Sequence, residues 1–199
     1  MLILARHGRT AANAQRLLLG RADVALDAEG ELQARAIAAR FSQRPPASIV
    51  SSPLVRCRAT AEVIGALTGA PVEVDDRWVE VDYGEYDRSP LNDVPHTVWE
   101  HWRTDISWRP PGGETLEEVG ARVRAACEGM ASLAADDDLL VVTHVSPIKA
   151  AVAWALGVGD AAAWRMFCDV ASITRIRVGA GQPTLVSFNE TSHLSPSSP

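Results

Sequence analysis

Leu139-Leu140-Val141-Val142-Thr143-His144-Val145-Ser146-Pro147 is the stretch whose reading decides the fold. Four consecutive apolar residues followed by Thr predict a strand buried on both faces, as the strands of a parallel sheet are. The run passes through His144 and Pro147 into a helical pattern over 148–156, with the helix starting near Pro147. The same order recurs along the chain. Residues 2–5 (LILA) predict a short buried strand that ends at Arg6 and His7, and a helical pattern follows over about 28–41. Residues 47–51 predict a second strand, and Ser52-Pro53 opens a helix over 54–67. A short strand at 72–74, a helix over 115–134 and two late strands at 172–178 and 184–188 complete the pattern. Strands alternating with helices predict an α/β fold, a three-layer α/β/α sandwich with a mainly parallel central sheet. Residues 85–113 are richer in Pro, Trp and polar side chains and read as a short lid insertion. One catalytic domain is expected over 1–194, with a flexible tail at 195–199.

Composition narrows the function classes. The chain has 199 residues, 47% of them hydrophobic, enough for one sizeable core. With 25 acids against 19 bases the formal net charge is −6, so no nucleic-acid or membrane-surface partner is expected. No apolar stretch is long enough to span a bilayer. Cys57, Cys127 and Cys168 show neither pairing nor metal-type spacing, which predicts reduced thiols and a cytoplasmic location. No metal site and no cofactor are expected: His96 and His101 lack an HExxH arrangement or a carboxylate cluster at ligand spacing. A homodimer is compatible with this reading.

In a parallel sheet, ligands bind beyond the carboxyl ends of the strands. Arg6 and His7 follow the first strand, Arg56 lies in the first turn after the second, and His144 follows the LLVVT strand. Glu80 sits in an apolar context, WVEVDYGEY. Each has a bland reading: a solvated pair, a surface helix residue, a core histidine, an outward carboxylate. Together they require several unrelated accidents at strand ends. Two Arg, two His and one carboxylate suit phosphoryl transfer through a covalent histidine. Arg matches phosphate oxygens with a planar, permanently charged fork. A neutral imidazole attacks phosphorus. A carboxylic acid protonates the leaving alkoxide and then, as carboxylate, activates water. A second, protonated His stabilises the equatorial oxygens.

At these residues the chain resembles the histidine phosphatase superfamily, branch 1, the phosphoglycerate-mutase-like group. The opening Leu4-Ala5-Arg6-His7-Gly8-Arg9-Thr10 with Asn13 is similar to its Arg-His-Gly signature. Ser51-Ser52-Pro53-Leu54 with Arg56, Glu80 with Gly84, Gly112-Gly113-Glu114-Thr115, and Val142-Thr143-His144 resemble later blocks, in order. The resemblance implies His7 as the phosphorylated nucleophile and Glu80 as the proton donor. It implies Arg6, Asn13, Arg56 and His144 as the phosphate pocket. Arg9 and Val145-Ser146 depart from the usual pattern. The expected activity is hydrolysis of a small-molecule phosphate monoester. The alternatives are a phosphoglycerate-mutase-type phosphotransferase and an inactive phosphate-binding scaffold. The lid argues against a mutase, which must hold a second phosphate: Arg88, Arg103 and Arg109 face Glu85, Asp87, Asp93, Glu100 and Asp105 within 85–111. Tyr86, Trp99, Trp102 and Trp108 either pack the lid onto the sandwich or turn one or two rings toward the leaving group.

Overall fold

The computed structural model describes residues 1–194; the expected tail lies outside the described residues. Strand β1 (Leu2–Arg6) and β4 (Leu139–Thr143) form the centre of the sheet. β2 is Ser48–Ser51, β3 Val72–Val74, β5 Ile173–Arg177 and β6 Thr184–Glu190. The order across the sheet is β3-β2-β4-β1-β5-β6. β3, β2, β4 and β1 run parallel, whereas β5 and β6 pair antiparallel. All five residues of β4 are buried, as its apolar run requires.

The helices are α1 (Ala11–Ala14), α2 (Ala28–Arg40), α3 (Val55–Thr68), α4 (His96–Thr104), α5 (Leu116–Asp136) and α6 (Val145–Leu156). Successive strand residues point to opposite faces, so β1 feeds two cores. Leu2 and Leu4 join Val123, Cys127 and Ile148 under α5 and α6. Ile3 and Ala5 join Ile37, Ala61 and Ile64 under α2 and α3. The result is the expected α/β/α layering. Asp27 caps α2 by accepting from Gly30 N at 2.8 Å, and Thr115 with Glu118 forms a capping box on α5.

Three local differences from the sequence expectation have physical causes. α6 begins at Val145, not at 148, because Pro147 lies in the first turn, where its missing N–H leaves nothing unpaired. The lid contains a helix, α4, whose Val98 and Trp102 are buried; its nine residues carry too short a pattern to stand out among the Pro and polar residues around it. Short α1 and a 3₁₀ segment, Asp160–Arg165, also add to the expected elements.

Candidate active site

β1 and β4 end side by side, with Arg6 paired to Thr143, so the two histidines emerge from neighbouring strands. Their ring centroids lie 5.1 Å apart. His7 is buried, and its Nδ1 lies 2.7 Å from the Gly8 carbonyl oxygen. A carbonyl only accepts, so Nδ1 carries the proton and Nε2 keeps its lone pair. Burial, then the charges of Arg56 and Arg6, hold His7 well below the ordinary imidazole range; the Gly8 bond opposes them in part. The side chain is therefore a neutral imidazole whose free lone pair lies on Nε2. Gly8 and Gly30 permit this loop. A Cβ on Gly8 would stand 2.3 Å from Gly30 O, and one on Gly30 would stand 2.0 Å from Arg9 O.

Arg56 projects from the first turn of α3 and is fully buried. Its Nη1 and Nη2 donate to the carbonyls of Ala22 (2.8 Å) and Gly20 (2.6 Å), and its Nε donates to His144 Nδ1 at 3.3 Å. Arg6 donates Nη1 to Cys168 O at 2.7 Å, whereas its buried Nε has no partner. The guanidinium next to His7 in the chain thus keeps one donor unpaired. An anion would supply what it lacks.

His144 differs from the expectation of a protonated ring. Its Nδ1 accepts from Arg56, so its proton lies on Nε2 and is donated to Ser52 Oγ at 2.7 Å. Burial first, then Arg56, His7 and Arg6, push it well below the ordinary imidazole range. It is neutral here. A negative charge beside it, such as a phosphate dianion, would offset Arg56 and Arg6.

Glu80 is buried, and its carboxylate caps α6 from outside the helix. Oε2 accepts from Val145 N at 3.1 Å; Oε1 accepts from Ser146 N at 3.2 Å and from Val81 N at 2.8 Å. His144, the N-cap residue of α6, makes no side-chain cap bond, so Glu80 occupies the positive end of the helix dipole in its place. The side chains at Val145 and Ser146 thus do not prevent their N–H groups from serving an anion. Thr143 Oγ1 donates to Trp78 O at 2.6 Å and ties the Glu80 segment to β4.

The structure gathers Arg6, His7, Arg56, Glu80 and His144. Asn13 is held differently from a free pocket side chain: its Oδ1 accepts from Thr10 N and Thr10 Oγ1, closing a capping box on α1. Arg9 turns to Asp27 at 2.8 Å. Sequence reasoning missed Arg21, whose Nε donates to Glu80 O at 3.4 Å and whose Nη2 donates to Glu114 Oε2 at 3.1 Å. It also missed Ser52, the acceptor for His144, although Ser52 stands in the quoted Ser51–Leu54 block. In the lid, Trp99 and Trp102 line a cavity beside Glu80. Trp108 instead stacks on His101, with ring centroids 5.7 Å apart. Among the described residues no helix is long and apolar enough to cross a membrane.

Residues 2–191 match the family model described as histidine phosphatase superfamily (branch 1). The bifunctional protein Rv2228c of Mycobacterium tuberculosis is 33% identical over 97% of this chain, and the chain spans about half, 54%, of that relative's length. A probable phosphoglycerate mutase GpmB of Shigella boydii is 33% identical over 87% of this chain and 82% of its own. A putative phosphoserine phosphatase 2 of Hydrogenobacter thermophilus is 31% identical over 96% of both. Among solved structures, the mycobacterial glucosyl-3-phosphoglycerate phosphatase Rv2419c superposes with a TM-score of 0.84 at 28% identity, covering 96% of this chain and 98% of that one.

Proposed function

Because the chain belongs to the histidine phosphatase superfamily, branch 1, we propose that it is a phosphomonoesterase that hydrolyses a small-molecule phosphate ester through a phosphohistidine. One observation carries this reading: the Nδ1 bond of His7 to Gly8 O leaves Nε2 unprotonated beside the unpaired Nε of Arg6. The phosphoryl group rests on Arg6, Arg56, His144 and the amide of Asn13. His7 Nε2 attacks phosphorus and the P–O bond to the alcohol breaks. Protonated Glu80 gives its proton to the departing alkoxide. Glu80, now a carboxylate, takes a proton from water as that water attacks the phosphohistidine, which restores His7 and releases phosphate. The N–H groups of Val81, Val145 and Ser146 hold the carboxylate in the interval. No step needs a metal, and the three buried free cysteines suit a reducing cytoplasm.

The test is phosphate release from phenyl phosphate and from an alkyl phosphate in the presence of EDTA. Turnover supports the reading. Binding of phosphate without turnover would return the chain to the scaffold alternative. Transfer to a phosphorylated acceptor in preference to water would return it to the mutase alternative. The hydrolytic reading is favoured because aromatic rings, with one ammonium at Lys149, line the cavity beside Glu80, where a mutase needs a second anion site.

A further inference from the structure

The turn that precedes β5 reaches back to the end of β1. Cys168 O accepts from Arg6 Nη1 at 2.7 Å. Arg6 N donates to Ser172 O at 3.0 Å, and Ala171 N donates to His7 O at 3.0 Å. Residues 168–172 therefore hold both the side chain of Arg6 and the backbone on either side of the Arg6–His7 bond.

This turn is strained. Ser172 N donates to Asp169 O at 3.3 Å and closes it, and Ala171, its third residue, has a φ of 57°. Glycine takes that left-handed position without a penalty, whereas alanine does not. Such a conformation persists where the surroundings over-determine it. His193 Nε2 donates to Ala171 O at 2.9 Å. Asn189 clasps Asp169 with both ends of its amide: Oδ1 accepts from Asp169 N at 2.7 Å, and Nδ2 donates to Asp169 Oδ2 at 2.9 Å.

β6 breaks its ladder to deliver that amide. Ile173 pairs with Glu190 and Arg175 with Ser187, so Phe188 and Asn189 together oppose the single residue Thr174. This is a β-bulge, a device that re-aims a side chain at the expense of regular pairing. Asn189 has a φ of 59°, a region that Asn enters more readily than most residues, and its N–H turns to Thr174 Oγ1 at 3.3 Å. The bulge costs the sheet a regular pair, and its product is a two-point grip on the residue next to Cys168.

We propose that Asn189 is a positioning residue for Arg6. It acts through Asp169 and the Cys168 carbonyl, which fixes Arg6 Nη1 and so the direction of the unpaired Nε. The inference rests on the phosphatase reading in taking Arg6 as a phosphate ligand.

The experiment measures the Kd of inorganic phosphate by calorimetry, kcat/KM on phenyl phosphate, and Tm. Asn189→Gly removes the amide and suits the left-handed backbone, so the fold is expected to hold. Phosphate Kd should rise by about tenfold at unchanged stoichiometry, the worth of one hydrogen bond to a charged group, and kcat/KM should fall by a similar factor. Asn189→Asp sets a carboxylate against Asp169 and should lose as much. Adding Asp169→Asn to it restores both bonds with donor and acceptor exchanged, and should recover the affinity. In an Arg6→Ala background Asn189→Gly should raise Kd no further, since the group it aims is gone. A full further rise in that background, an unchanged Kd in Asn189→Gly, or a folded exchanged pair that recovers nothing overturns the proposal. So does the pattern of a merely structural role, a lower Tm and fewer binding-competent molecules with Kd in place. If Asn189→Gly does not fold, Asp169→Ala, which spares the bond to Asn189 Oδ1, carries the same cycle with a smaller rise. If phosphate binds but no ester turns over, the phosphatase reading fails and the calorimetric cycle alone decides the role of Asn189. A wild type that binds no phosphate overturns it.

Discussion

His7 and His144 meet at a ring-plane angle of 63°, yet they carry their protons on opposite nitrogens. His7 donates from Nδ1 to Gly8 O, and His144 donates from Nε2 to Ser52 Oγ. The difference comes from backbone in one case and from Arg56 in the other. It gives two chemically identical side chains separate tasks: one presents a lone pair, the other is turned by a guanidinium.

Replacement of the two should therefore differ in kind. His7→Ala is expected to lower kcat by about 10³-fold or more, because it removes the bond-forming atom. Rapid acid-free quenching of the wild type with ³²P-labelled substrate should trap an acid-labile phosphoprotein that His7→Ala lacks. His144→Ala should lose about 10²-fold, the worth of one electrostatic donor, and still become labelled. Turnover retained by His7→Ala would remove the nucleophile assignment.

Acid sensitivity follows from both rings being buried neutral. Each has a folded pKa below its unfolded value of about 6.5. Below that pH the unfolded chain binds protons that the folded chain refuses, so stability is complete above about pH 6.5 and declines as pH falls toward the folded values. Tm measured from pH 8 to pH 5 should hold level and then drop. Inorganic phosphate should reduce the drop by opposing Arg6 and Arg56. His7→Asn, which removes one of the two groups, should flatten it.

The Gly8–Gly30 contact makes a sharper stability prediction. A methyl at Gly30 would meet Arg9 O at 2.0 Å and Arg9 N at 2.8 Å, both backbone atoms of the loop that follows His7. Gly30→Ala should cost about 1–3 kcal/mol, a Tm fall of roughly 3–10 °C, with lost activity as the loop shifts. Gly159→Ala is the control: its Cβ would have nothing within 4 Å, so Tm should hold or rise slightly. Equal effects at both positions would remove the packing explanation.

The central strands and the strand-end charges were legible in the sequence because a fully buried strand leaves a continuous apolar run, and a polar residue just after it has few places to go. Leu139–Thr143 with His144 is the clear instance. Helix α4 was not legible: only Val98 and Trp102 of its nine residues are buried, against a lid core assembled from distant residues such as Leu18 and Leu116. Nor was the neutrality of His144, which comes first from burial and then from Arg56, 88 residues away. Asn13 was singled out through its motif, and local spacing does explain its Thr10 capping box.

Glu80 is asked to do two things, and a pair of substitutions separates them. As an acceptor it satisfies the N–H groups of Val81, Val145 and Ser146. As the acid of the proposed mechanism it releases a proton to the leaving alkoxide. Glu80→Gln keeps an amide oxygen that can face the N–H groups, so it should lower Tm little. Glu80→Ala removes the cap of α6 entirely and should cost about 1 kcal/mol, with a range of about 0.5–2. Neither variant can protonate an alkoxide. Both should lower kcat on an alkyl phosphate by about 10²–10⁴-fold, and on 4-nitrophenyl phosphate far less, since nitrophenolate leaves without a proton. The measurement is kcat on the two esters together with a thermal melt. Parallel losses on both esters would move the acid elsewhere, to Asp82 or Glu85. A large Tm fall in Glu80→Gln would mean that the carboxylate charge, and not only its oxygen, holds the start of α6.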